Sequence, residues 1–168
     1  MNFDDTPQEA KFRAEARAWI DANAPKELRA ELELAGFGQP ALRSGDVLAA
    51  GKAWQKRKKD GGWACLHWPK EYGGRGATPI ERVIWQQEEG VYAKLSSPFL
   101  IGQGMCGPTM MAFASEVHKL RHLPPLASGE EVWCQLFSEP VAGSDLAGLR
   151  TRAEKDGDHW VVNGQKIW

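Results

Sequence analysis

The sequence has 168 residues, of which 42% are hydrophobic and 26% charged, and its formal net charge is −1. This balance excludes a disordered chain and gives no overall electrostatic reason to bind nucleic acid or an anionic membrane. The cysteines are too scattered for a zinc or disulfide framework, and no apolar run is long enough to span a bilayer. We expect a cytoplasmic protein with reduced thiols and no metal site.

Two stretches carry the same helix-start signal, a threonine followed by proline and then, three residues after the threonine, by glutamate. Thr6 to Glu9 predicts a helix that Pro25 ends. Thr78 to Glu81 predicts a second helix that runs to about Tyr92. Its apolar face is expected to consist of Ile80, Val83, Ile84, Gln87 and Val91.

Between these two helices, a weaker helical pattern extends from about Gly45 to Asp60. The loop GGWACLHWPKEYGGRG follows it. Aromatic residues in such a loop either anchor it to the helices or line a site, and anchoring is favoured. The basic run at 56–59 falls at the helix end, where a solvated position beside the helix dipole is favoured over a nucleic-acid patch.

In the last third of the chain, the spacing of apolar residues changes from a helical to an alternating pattern. Helical spacing from Gly107 is interrupted at Ser115 and is expected to stop at Pro124-Pro125. Beyond it, three features indicate β-structure: an apolar run at 132–137, alternation around a turn at Asp156-Gly157, and a second turn at Asn163-Gly164 that starts another strand. So few strands cannot bury a core, which predicts a truncated β domain.

Two motifs resemble ligand sites without the context that such sites need. The segment GQGMCG at 102–107 matches GxGxxG, but the proline before it and the broken helix after it argue against a dinucleotide-binding unit. His118 and His122 have metal-ligand spacing but lack a third ligand, so a solvated helix face is favoured.

The most informative segment is CQLFSEPVAGSD at 134–145, an apolar run that ends in small polar residues. A strand ending at Ser138 exposes its last N–H groups beside a hydroxyl, and Gly143-Ser144 offers a second such cluster. Two donor clusters suit a flat heteroaromatic ring that carries phosphates. Taken alone, the segment is equally consistent with an ordinary polar turn.

This segment, together with the later NGQKIW, closely resembles the acyl-CoA dehydrogenase family, whose middle β domain opens with a Thr/Ser-Glu-Pro-x-Ala-Gly-Ser-Asp signature. Upstream, WPKEYGGRG and GPTMMAFASEVHKLRHLPPLASGE resemble the helical N-terminal domain of the same family. The resemblance implies an α+β protein. Residues 1–131 would form an all-α N-terminal helical domain, and residues 132–168 the first strands of a truncated β-barrel domain.

The resemblance also implies a flavin site. Along the pyrimidine edge of FAD it places Gln135, Leu136, Phe137 and Ser138, where serine replaces the commoner threonine. It places Gly143 and Ser144 near the FAD pyrophosphate, with Ser144 also near the acyl-CoA substrate, and Trp168 beside the flavin ring. Val141 stands where the family often has glycine.

The implied reaction is α,β-dehydrogenation of an acyl-CoA to a trans-2-enoyl-CoA in fatty-acid β-oxidation, with an electron-transfer flavoprotein as acceptor. A carboxylate removes the α proton, and the hydride from the β carbon passes to the flavin. The resemblance places this general base in a C-terminal domain that these residues lack, so we expect no catalytic residue here and an inactive fragment. Two alternatives remain: a flavin acyl-CoA oxidase, and a non-catalytic subunit that contributes part of the flavin pocket in a heteromeric dehydrogenase. The full-length protein is expected to be a homo- or hetero-oligomer.

Overall fold

The computed structural model describes residues 4–35, 42–43 and 45–168. The chain is α+β and divides into two compact units, Met1–Trp133 and Cys134–Trp168. The helices of the first unit are α1 Pro7–Asn23, α2 Arg29–Leu34, α3 Val47–Asp60, α4 Pro79–Glu89, α5 Gly107–Phe113 and α6 Glu116–Ser128. The second unit contains the strands β1 Arg152–Asp156 and β2 His159–Asn163. No helix in the described ranges is both long enough and apolar enough to cross a membrane.

Both predicted helix starts are confirmed. The hydroxyls of Thr6 and Thr78 accept hydrogen bonds from the backbone N–H groups of Glu9 and Glu81, whose carboxylates bond back to the threonine N–H groups. This reciprocal arrangement satisfies two donors that a helix start otherwise leaves unpaired. Each helix therefore begins where the local sequence specifies.

The prediction of which residues form the buried face of α4 is wrong. Ile84 and Trp85 are buried, but Ile80 and Val83 remain nearly half exposed, and Glu89 is buried although its charge argued against it. The helix also ends at Glu89 rather than near Tyr92, because the chain tightens into a 3₁₀ helix over Gly90–Phe99.

Glu89 is tolerated in the core because its carboxylate is fully partnered. It accepts hydrogen bonds from the indole N–H groups of Trp54 and Trp85 at 2.8 and 2.9 Å, and from the ammonium of Lys58 at 2.9 Å. A buried charge is stable only with such partners. Lys58 is consequently buried, which corrects the expectation that the whole basic run at 56–59 is solvated.

Helix α6 does not stop at Pro124-Pro125 but continues to Ser128. The prolines lie near its C-terminal end, where Leu123, Leu126 and Ala127 are buried. Their packing offsets the backbone hydrogen bonds that the two proline nitrogens cannot donate. The helix then ends at Gly129, which adopts the left-handed conformation that glycine allows.

The core of the helical unit is rich in tryptophan. Trp54, Trp63 and Trp85 are buried in one cluster, in which the rings of Trp63 and Trp85 stack at 4.7 Å. Trp68 is the centre of a second cluster beside α6. Because Trp63 and Trp68 both belong to the loop at 61–76, the expectation that aromatic residues anchor this loop is confirmed.

The second unit contains a two-stranded antiparallel hairpin, as predicted around Asp156-Gly157. Asp156 pairs with His159, and Gly157 has φ 56° in the two-residue turn between them. The runs at 132–137 and 165–168 form no strand within the described part of the chain. They make side-chain and single backbone contacts instead of the repeated backbone pairs that define a ladder.

Candidate functional site

One backbone hydrogen bond joins the two distant segments that carry predicted flavin contacts. The N–H of Ile167 donates to the carbonyl of Ser138 at 2.9 Å. Trp168 is therefore the immediate neighbour of a residue held against the end of the 135–138 segment. The structure thus brings residues thirty positions apart to one edge of the second unit.

Glu139 is the centre of this edge. It is 4% exposed, and its carboxylate accepts hydrogen bonds from the backbone N–H groups of Arg150 and Thr151 at 2.7 and 3.1 Å. Its backbone N–H and carbonyl both pair with Ala142, at 2.7 and 3.1 Å. Glu139 thereby ties the turn at 139–142 to the chain just before β1.

Lys166 completes the arrangement. Its ammonium donates to the Glu139 carboxylate at 3.0 Å and to the backbone carbonyl of Phe137 at 3.0 Å. The Thr151 side chain, the Arg150 N–H and the Lys166 ammonium together lower the pKa of Glu139 to about 2. The carboxylate is therefore ionised at neutral pH, and it fixes three separate segments.

The donors predicted to face a ligand lie at 135–138 and at Ser144. Among the described residues, none accepts a hydrogen bond from the backbone N–H groups of 135–138 or pairs with the hydroxyls of Ser138 and Ser144. Phe137 is 71% exposed and Trp168 is 95% exposed. Free N–H groups beside a hydroxyl can hydrogen-bond the polar edge of a planar heteroaromatic ring.

Gly143 and Ser144 lie in the turn that follows the Glu139–Ala142 pair, and both are exposed. A Cβ added at Gly143 would meet nothing within 4 Å, so the backbone there is open to close approach. The chain places these residues on the same small unit as Ser138.

The GxGxxG match is not a nucleotide loop, because its residues lie in a π-helix, Gly102–Cys106, that continues into α5. A Cβ on Gly107 would collide with the Trp68 ring, and one on Gly102 would lie 2.7 Å from Leu126. These glycines permit close packing. The segment therefore serves the helical core.

The two histidines of α6 stack at 6.1 Å between ring centroids, and His122 packs edge-on against Trp133 at 5.4 Å. In residues 4–35, 42–43 and 45–168, no three His, Cys, Asp or Glu side chains are grouped so that they could hold a metal ion. His122 therefore contributes to packing at the end of the helical unit.

Sequence reasoning named neither Glu139 nor Lys166 as a site residue. The family resemblance implies roles for the hydroxyls and glycines, whereas the lysine of NGQKIW is expected only as part of a strand. The signal that could have identified it was chemical, since a buried Glu-Pro turn requires a cation or several donors. The predicted turn at Asn163-Gly164 does not form, and Gly164 instead permits close packing, because a Cβ there would collide with Thr151.

A family model described as the acyl-CoA dehydrogenase N-terminal domain matches residues 6–130. The chain belongs to the acyl-CoA dehydrogenase family. It is 42% identical over 161 residues to the acyl-CoA dehydrogenase IpdE1 of Mycobacterium tuberculosis, covering 94% of this chain and 40% of that protein. The chain thus spans about two fifths of the length of the curated relatives it matches first.

Solved structures of the family share the fold. The ChsE4-ChsE5 complex from M. tuberculosis matches with a TM-score of 0.71 and 34% identity, over 100% of this chain and 40% of that one. A protein described as the Tcur3481-Tcur3483 steroid ACAD matches at 0.70 and 32%, over 99% and 41%. A glutaryl-CoA dehydrogenase from Mycobacterium smegmatis in complex with FADH2 matches at 0.65 and 25%, over 97% and 39%.

Proposed function

We propose that this chain supplies the helical domain and one flavin-contacting edge of an FAD-dependent acyl-CoA dehydrogenase. The observation that carries the proposal is the edge at 135–138, which Glu139 and Lys166 hold in place and which the hydrogen bond from the Ile167 N–H to the Ser138 carbonyl brings beside Trp168. A relative crystallised with FADH2 supports the same cofactor. The bound flavin would accept the hydride removed from the β carbon of an acyl-CoA thioester.

Each residue of the edge has a distinct role in this proposal. The Ser138 hydroxyl and the neighbouring N–H groups hydrogen-bond the pyrimidine end of the flavin, where negative charge arrives during the reaction. Trp168 packs against the ring, with Gln135, Leu136 and Phe137 along its edge. Gly143 and Ser144 approach the pyrophosphate, and Ser144 also contacts the acyl-CoA.

The proposal locates the general base in the C-terminal domain that the family resemblance implies, outside the two fifths of its relatives' length that this chain matches. Two preparations test this directly, the 168-residue chain and the complete protein with every domain that its gene encodes. The complete protein should bleach the flavin absorption when an acyl-CoA is added anaerobically. Robust bleaching by a catalytic amount of the 168-residue chain would contradict the proposal.

A second candidate is a subunit of a heteromeric dehydrogenase in which a partner supplies the base. It is favoured by two structural relatives whose descriptions name pairs of proteins. Co-expression with neighbouring dehydrogenase genes tests it. Flavin content and acyl-CoA oxidation that require co-purification of a second dehydrogenase chain would support it, whereas a fully active homo-oligomer would exclude it.

The proposal extends to a substrate class and an electron acceptor. Because one structural relative is described as a steroid ACAD, we propose a bulky polycyclic acyl-CoA as the substrate. A panel of steroid, branched and straight-chain acyl-CoAs tests this by kcat/KM. Reoxidation by an electron-transfer flavoprotein, compared with air, separates a dehydrogenase from an oxidase.

A further inference from the structure

Lys166 lies directly behind the predicted flavin edge. Its side chain is 23% exposed, and its ammonium donates to the carbonyl oxygen of Phe137 and to the Glu139 carboxylate, each at 3.0 Å. The family resemblance implies no role for this lysine. Its contacts, however, are with the segment whose N–H groups remain unpaired.

The carbonyl that Lys166 binds belongs to a particular peptide group. The C=O of Phe137 and the N–H of Ser138 are two ends of one peptide unit, so electron density drawn toward the carbonyl oxygen leaves the N–H more positive. A charged donor makes a stronger hydrogen bond than a neutral one. Lys166 therefore strengthens the Ser138 N–H as a donor without touching a ligand.

The lysine is held in this position. Glu139, only 3% exposed at its side chain, anchors the ammonium and is itself fixed by the N–H groups of Arg150 and Thr151. The next residue along the chain, Ile167, donates its N–H to the Ser138 carbonyl. The same short segment thus acts on both peptide groups that flank Ser138, and a donor fixed before the reaction has no reorganisation to undergo.

We propose that Lys166 is a positioning residue that polarises the Phe137–Ser138 peptide and thereby stabilises the reduced form of bound FAD. The inference rests on the proposed function, since it needs a flavin whose pyrimidine end meets the Ser138 N–H. Removal of the Lys166 charge should weaken the affinity for reduced FAD more than the affinity for oxidised FAD. A purely structural role would weaken both equally.

The test compares Lys166→Met with wild type in the complete protein, using Lys155→Met as the matched control because Lys155 is exposed on β1 in the same unit. The midpoint potential is measured at saturating FAD. We expect Lys166→Met to reduce the ratio of reduced to oxidised affinity roughly tenfold, a shift of about 30 mV to more negative potential for a two-electron couple. Lys155→Met should leave the potential unchanged.

A second readout needs no flavin. In protein labelled with ¹⁵N, Lys166→Met should move the Ser138 amide proton upfield, because its polarising partner is gone, and Lys155→Met should not. Lys166→Gln keeps a neutral donor to the Phe137 carbonyl and replaces the methionine variant if that protein does not fold. Lys166→Gln should change the midpoint potential and the Ser138 amide proton shift in the same directions, but by smaller amounts.

The outcomes separate the inference from the function beneath it. A wild-type protein with no affinity for FAD would overturn the proposed function and the inference with it. If the flavin-loaded Lys166→Met protein keeps the wild-type potential, the inference alone fails. An unmoved Ser138 amide proton would likewise refute the polarisation.

Discussion

The ammonium of Lys58 lies 2.9 Å from a carboxylate oxygen of Glu89, and both side chains are only 6% exposed. The pair joins α3 to α4 across the tryptophan-rich core, and Ser96 accepts a further hydrogen bond from the same ammonium at 2.7 Å. Ser96 and the two indole N–H groups add neutral hydrogen bonds, so each of these two buried charges has the other as its counter-charge.

Lys58→Met should therefore destabilise the protein by about 3–5 kcal/mol, because it leaves the Glu89 carboxylate buried without its counter-charge. Chemical denaturation measures the loss. Lys56→Met is the control on the same helix, since the ion pair between Lys56 and Asp60 is exposed and should contribute little to stability. Equal losses for the two variants would contradict the account of a buried pair.

Glu139 should make the second unit sensitive to strong acid. Its pKa is lowered from 4.5 to about 2, so the folded form binds its proton more weakly than the unfolded form does. The resulting stabilisation is complete above pH 4.5 and is lost as pH falls through about 2. Amide shifts of Arg150 and Thr151 should follow this titration by NMR, and Glu139→Gln should abolish it. Midpoints near 4.5 would show that the carboxylate is not held as described.

Two glycines of the GxGxxG segment should respond oppositely to the same substitution. Gly107→Ala places a Cβ against the Trp68 ring and should cost about 1–3 kcal/mol. At Gly104 a Cβ would meet nothing within 4 Å, so Gly104→Ala should be neutral or stabilise by about 0.5–1 kcal/mol. Thermal unfolding of both variants measures the difference, and a strongly destabilised Gly104→Ala protein would contradict it.

Trp168 should report flavin binding. The proposed site packs its indole against the flavin ring, so FAD should quench its fluorescence. Trp160, 65% exposed on β2, provides the comparison. In the complete protein, Trp168→Phe should remove most of the quenching and Trp160→Phe little of it. The reverse pattern would place the flavin elsewhere.

Features set by neighbouring residues could be predicted from the sequence. The capping boxes at Thr6 and Thr78 and the hairpin turn at Gly157 depend on contacts within about four residues, and all three form where expected. The family signature likewise depends on short segments. The roles of Ser138, Gly143 and Trp168 at a flavin remain predictions from that resemblance.

Features that depend on distant partners could not be predicted in this way. The burial of Glu89 follows from Trp54 and Lys58 across the core, and the passage of α6 through two prolines follows from what its last turns bury. Likewise, the Lys166 ammonium donates a hydrogen bond to the carbonyl of Phe137, which is 29 positions away in the sequence. By itself the sequence determined where the two capped helices and the turn at Gly157 begin, because those choices are local. Only the tertiary structure decided which charges are buried and which peptide groups are polarised, because these depend on atoms that folding alone brings together.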